Sequence, residues 1–243
     1  AELALKQWNE KGGLLGKDVE YVLADGGCDG ATATDAANKL IDQDKVKFIV
    51  GEVCSSASIP VSEVANPKKV IQISPTSTNP AVTVGKPYVF RACFLDPFQG
   101  DVVASFAKDY LGASTAAVMY DKGNDYVLGL AEYFREAFES KGGQVVVYEA
   151  YTEADTDFSA ILSKVADANP DVLFLPDYYS KVNLIGKQAK EKGITAELLG
   201  ADGWDSADLD YSAVEGGYHS NHYAPADPRP IVQDFLAQYA EAY

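Results

Sequence analysis

The chain has 243 residues, and 20 Lys+Arg against 36 Asp+Glu leave a formal charge of −16. That balance excludes a general nucleic-acid binder, which needs a basic footprint to displace counterions, and a polybasic membrane-surface protein. Hydrophobic residues at 47% and charged residues at 23% describe a globular chain, long enough for one large domain or two smaller lobes.

Read in order, the sequence alternates helix and strand patterns. The opening run AELALKQWNEK is part of an amphipathic helix stopped by Gly12-Gly13. Ala1 falls directly into that pattern, so no signal peptide is expected at the start. Val19–Ala24 reads as a strand, Ala31–Gln43 as a helix, Val46–Val50 as a short buried strand, Ser56–Ala65 as a helix ended by Asn66-Pro67, and Val70–Ile73 as a strand. A turn-rich stretch, Ser74–Pro80, leads to a strand at Tyr88–Phe94. The alternation restarts after Leu95-Asp96-Pro97: helices at Phe98–Tyr110, Tyr126–Lys141, Phe158–Ala168 and Ser180–Lys192, strands at Thr115–Tyr120, Gln144–Ala150, Asp171–Leu175 and Glu197–Gly200. A strand at Gly216–Asn221, a proline-rich stretch and a last helix, Ile231–Tyr243, complete the chain.

Short strands separated by helices imply βαβ units and mostly parallel sheets. Two such series predict an α/β protein of two doubly wound lobes joined by extended crossovers. Residues 1–95 with 222–243 are expected to make one lobe and 96–221 the other. No apolar run approaches the roughly 20 residues of a membrane helix.

Ligands of parallel α/β sheets sit beyond the carboxyl ends of the strands. After Val46–Val50 comes Gly51-Glu52-Val53-Cys54-Ser55-Ser56, and after Val70–Ile73 comes Ser74-Pro75-Thr76-Ser77-Thr78-Asn79-Pro80. Hydroxyls and free backbone N–H groups at such places suit a small carboxylate; capping and turn formation are the competing reading. In the second series, Asp177-Tyr178-Tyr179 and Asp202-Gly203-Trp204-Asp205 put acids and rings at strand ends, where they suit a cationic amine; Asp121 to Tyr126 fits the same rim. Catalytic motifs are absent: no G-x-S-x-G, no P-loop, no G-x-G-x-x-G after a strand. His219 and His222 are read as structural or exposed, and no metal or cofactor is expected. Cys28 and Cys54 each lie three residues beyond the residue that follows a strand (Asp25 and Gly51), at one sheet edge, so they are expected to pair and Cys93 to stay free.

Together N-E-K-G-G-L-L-G (9–16), Gly27-Cys28-Asp29, G-E-V-C-S-S (51–56), I-S-P-T-S-T-N-P (73–80), F-R-A-C-F-L-D (90–96), D-T-D-F-S-A (155–160) and L-G-A-D-G-W (199–204) resemble periplasmic-type solute-binding proteins of the Leu/Ile/Val-binding type. The resemblance implies the type I fold of that family, two lobes closing on one small ligand that a membrane ABC permease then receives, and an extracytoplasmic location, in the periplasm or lipid-anchored at the cell surface. It implies that Ser55, with Ser56 beside it, and the Thr76-Ser77-Thr78 loop hold an amino-acid carboxylate and amine. Tyr126 and Tyr178 would line the second wall, Asp202 would pair with the ammonium, and Trp204 would narrow the pocket. Measured against the family, the chain is expected to lack elements before Ala1 and after Tyr243. A sensory domain with the same fold, and a hydrolase built on Ser55 or Cys54, are the rival readings.

Overall fold

Apolar strands flanked by amphipathic helices resolve into two separate parallel sheets in a computed structural model that describes residues 1–243. The first sheet has three strands in the order β1 (Phe48–Val50), β2 (Ile71–Ser74), β3 (Val89–Arg91), with Ile49 opposite Gln72 and Gln72 opposite Val89. The second has the order β5-β4-β6-β7-β8, formed by β4 (Thr115–Asp121), β5 (Gln144–Tyr151), β6 (Val172–Phe174), β7 (Glu197–Gly200) and β8 (Tyr218–His219). The expectation that Thr115–Tyr120 and Val46–Val50 occupy different sheets matches this arrangement.

The second sheet is covered on both faces, and its central strand alternates accordingly. Ala116 and Val118 of β4 pack with Phe134 and Phe138 of α5 (Asp125–Ser140) and with Val103 and Ala104 of α4 (Asp96–Ser105). Ala117 and Met119 face Leu162 and Val165 of α6 (Ser159–Ala168) and Val182 and Ile185 of α7 (Tyr179–Glu191). The first sheet is covered on one face by α2 (Gly30–Asp42) and α3 (Ser55–Ala65), through Ala33, Ala37, Ala57 and Val61. On its other face Phe48, Val50 and Phe90 are exposed. The terminal helices α1 (Glu2–Glu10) and α8 (Pro230–Ala242) meet through a Gln7–Gln238 hydrogen bond and a bond from the Tyr243 hydroxyl to Glu2. No helix is long and apolar enough to cross a membrane.

Two expected strands change. Val19–Ala24 joins no ladder, because extended apolar residues become a strand only when a neighbour accepts their N–H groups; here Val19 is held by the Asn9 side chain, and Leu23 is 82% exposed. Gly216–Asn221 contracts to the two residues of β8, the length that finds partners in Leu199 and Gly200. Pro97 falls in the first turn of α4, where its missing N–H costs nothing.

The Cys28–Cys54 disulfide is present, with Cα atoms 5.4 Å apart, and Cys93 is free. The pair forms even though no strand precedes Cys28. What aligns the two cysteines is that each stands just before one of two packed helices, α2 and α3.

Candidate functional site

A cavity of about 310 Å³ lies between the two sheets, within the size range of small-ligand sites. Apart from Cys28, its lining comes from the segments that follow β1, β2, β4, β6, β7 and β8, as the strand-end rule requires of parallel sheets.

The first wall is the turn into α3 and the loop after β2. Ser55 opens α3 and is 1% exposed; its Oγ accepts from the Asn79 N–H at 3.2 Å. Thr76 lines the cavity and donates to the Val53 carbonyl at 2.9 Å. The Cys54 side chain makes no capping hydrogen bond; its carbonyl accepts from the Ala57 and Ser58 N–H groups, which leaves those of Ser55 and Ser56 at the open end of α3. An N-terminus in that state attracts a carboxylate through its N–H groups and its partial positive charge. The disulfide forms the edge of this wall.

The second wall carries the charge. The Tyr126 hydroxyl donates to Asp202 Oδ1 at 2.7 Å and accepts from the Gly203 N–H at 2.9 Å. Gln99 Nε2 donates to the same Oδ1 at 2.9 Å, and the His222 ring lies 3.1 Å from Oδ2. Tyr178 stacks on Tyr126 with ring centroids 5.1 Å apart. Burial holds the Tyr126 phenol well above its ordinary pKa, and the Asp202 charge adds to that, so Tyr126 stays a neutral donor. Asp96, fully buried in the first turn of α4, is pushed up to about 7 by burial; the Thr78 hydroxyl opposes this and the Asp202 charge adds to it.

The expected residues therefore separate. Ser55, Thr76, Tyr126, Tyr178 and Asp202 line one cavity. Ser56 instead spans the gap: its Oγ donates to Asn124 Oδ1 at 3.3 Å and accepts from the Asp125 N–H at 3.2 Å. Ser77 turns away into the fold, bonding Ser58 at 2.7 Å and the Val53 carbonyl at 3.0 Å. Thr78 is fully buried behind the loop. Trp204, expected to narrow the pocket, is a core residue at 1% exposure whose indole N–H donates to the Leu175 carbonyl at 3.0 Å. An indole satisfied inside the core packs better there than beside a polar cavity. His222, expected to be structural or exposed, lines the cavity, stacks on Phe94 at 4.4 Å and touches Asp202. Sequence reasoning missed Gln99 and Asn221. Asp205, read among the strand-end acids, does line the cavity; Gln99 carried no signal.

The chain belongs to the periplasmic binding protein family, whose profile matches residues 1–243. It is 33% identical over 235 residues to the leucine-, isoleucine-, valine-, threonine- and alanine-binding protein of Pseudomonas aeruginosa, covering 96% of this chain and 62% of that one. It is 30% identical over 218 residues to the leucine-specific-binding protein of Salmonella typhimurium, covering 89% and 58%. Among solved structures, the leucine-binding protein LivK of Thermotoga maritima is similar at a TM-score of 0.93 and 39% identity, covering all of this chain and 70% of that one. LivJ of Streptococcus pneumoniae in complex with isoleucine is similar at 0.91 and 30%, with the same coverage. The chain thus spans about 60% of the length of these two curated relatives.

Proposed function

We propose that the chain captures an α-amino acid in the cavity between its two sheets and presents it, outside the cytoplasm, to a membrane ABC permease. The two sheets would be the cores of two lobes, 1–95 with 222–243 and 96–221, and the return of α8 onto α1 supports that division. In this reading Ser55, Thr76 and the start of α3 take the ligand carboxylate, while Asp202 takes the ammonium. Tyr126 and Tyr178 present ring faces to the ligand between them. Because the opposite ends of the ligand would contact different sheets, binding favours the closed arrangement, and closure is what a permease can read.

The observation that carries the proposal is the placement of acid, Asp202 with the more exposed Asp205 beyond it, across the cavity from a helix N-terminus flanked by hydroxyls. That polarity fits a zwitterion and does not fit a dianion. The names of the relatives, which describe binding of leucine, isoleucine, valine, threonine and alanine, support an aliphatic amino acid. The disulfide supports an oxidising compartment. Calorimetry against the common amino acids, with native mass spectrometry of the protein as purified, tests the reading. Saturable one-to-one binding of one or a few aliphatic amino acids is the expected result. A protein that binds none and carries no small molecule refutes it.

A further inference from the structure

Of the two carboxylates that line the cavity, Asp202 and Asp205, Asp202 is the less exposed, yet no side-chain hydrogen bond from its own loop fixes its direction; what fixes it comes from distant parts of the chain. Gln99, 1% exposed in the first turn of α4, directs its amide nitrogen at Asp202 Oδ1 (2.9 Å) and at Ser220 Oγ (2.8 Å). A carboxylate only accepts, so the nitrogen of the amide must face it, and both amide hydrogens are then used. Gln99 follows directly on the segment that leaves the first sheet, and Ser220 lies on the segment that returns. One buried amide therefore lies between the two connections and the acid.

We propose that Gln99 is a positioning residue for the amine end of the ligand: it sets the place of the Asp202 carboxylate and ties it to the returning segment at Ser220. The role in binding rests on the function proposed above. Three of the roughly four lone-pair directions of the Asp202 carboxylate are engaged by Gln99, Tyr126 and His222, leaving room for one further donor. Gln99 and Tyr126 are neutral donors, which orient a carboxylate without cancelling its charge. A cationic side chain in place of Gln99 would neutralise the acid and remove its attraction for an ammonium.

The test is Gln99→Met, which keeps the length and apolar volume and removes both hydrogen bonds. Binding of leucine and of 4-methyl-2-oxopentanoate, which lacks the amine, is compared by titration. Leucine should bind about tenfold or more weakly, whereas the oxo acid should change by less than roughly threefold. In an Asp202→Asn background, Gln99→Met should cost leucine less than about threefold, because its effect passes through that acid. Ser220→Ala, a milder change, should show the same selectivity with a smaller loss. Equal losses for both probes, or an undiminished loss without Asp202, would overturn the assignment. A crystal structure of ligand-free Gln99→Met gives a readout that needs no ligand: the Asp202 carboxylate should leave its place against Tyr126, and an unmoved carboxylate also overturns it. If the carboxylate moves but the unaltered protein binds no α-amino acid, the proposed function falls and the hold of Gln99 on Asp202 stands.

Discussion

The two walls of the cavity offer opposite partners in different ways. The first wall spreads its attraction over neutral groups: Ser55, Thr76 and the N–H groups at the start of α3. The second concentrates it in carboxylates, above all in Asp202, which has three neighbours of its own. Distributed donors tolerate the loss of any one, because the others and water take over; a single charge has no substitute. The walls should therefore respond very differently to comparable substitutions.

The largest expected effect is on the charged wall. Asp202→Asn keeps the size and removes the charge, and truncating one side of a buried pair costs about 2–5 kcal/mol, or roughly 30-fold to several thousand-fold in affinity. Calorimetry with the ligand identified by mass spectrometry measures it. A loss below about threefold would show that the amine is held elsewhere and would erase the contrast between the walls.

Reduction of Cys28–Cys54, which are 26 residues apart, acts on the neutral wall through its edge. It should cost about 3 kcal/mol of stability in the chain-entropy model. Urea unfolding with and without reductant checks this, and an unchanged midpoint would mean that packing of α2 on α3 suffices.

Asp96 sits where the first sheet hands over to α4, and its effect has a definite sign. Its folded value of about 7 lies above the ordinary 3.8, so between these values the folded protein keeps a proton that the unfolded chain has lost. Stability from this group then falls as pH rises through that window, and the penalty is complete above it. Asp96→Asn should stabilise the protein by a few kcal/mol at about pH 8 and by clearly less at about pH 5, since a tenfold difference in proton affinity between folded and unfolded chain is worth about 1.4 kcal/mol. Asp177, raised to about 6 by burial, keeps some slope in both proteins, so the comparison is between the variant and its parent. An equal gain at both pH values would place the origin of the effect in something other than ionisation.

The smallest effect belongs to Ser55→Ala. One hydroxyl among several donors should cost about 1 kcal/mol, near fivefold in affinity. A loss matching that of Asp202→Asn would show the first wall to be as concentrated as the second.

What the sequence made legible follows the same division between repeated and singular features. The second series of strands and helices was readable because both faces of its sheet are covered, which enforces apolar runs such as Thr115–Tyr120 and the Leu130, Phe134, Phe138 face of α5. Val19–Ala24 has the composition of a strand, but a ladder depends on a neighbour, which composition does not encode. In the Thr76-Ser77-Thr78 loop the residue types were informative and the directions were not: one hydroxyl lines the cavity, one bonds Ser58 and one is buried behind the loop. Trp204 looked like a lining residue for the same reason. Gln99 and Ser220 meet Asp202 and each other across as many as 121 positions of chain, through connections whose path no local pattern announces.

The contact made by Ser56 carries a cost that falls on the other side of the gap. The first-turn N–H groups of Tyr126 and Val127 are satisfied from within their own element, by Asn124, but that of Asp125 is satisfied by Ser56 of α3. One side of the protein therefore completes the cap of a helix on the other. Separating the two sides leaves that amide to water, a loss on the scale of a helix cap, about 1 kcal/mol. The start of α5 would then fray whenever the gap widens, and exchange of the Asp125 amide with solvent deuterium would count those openings one by one.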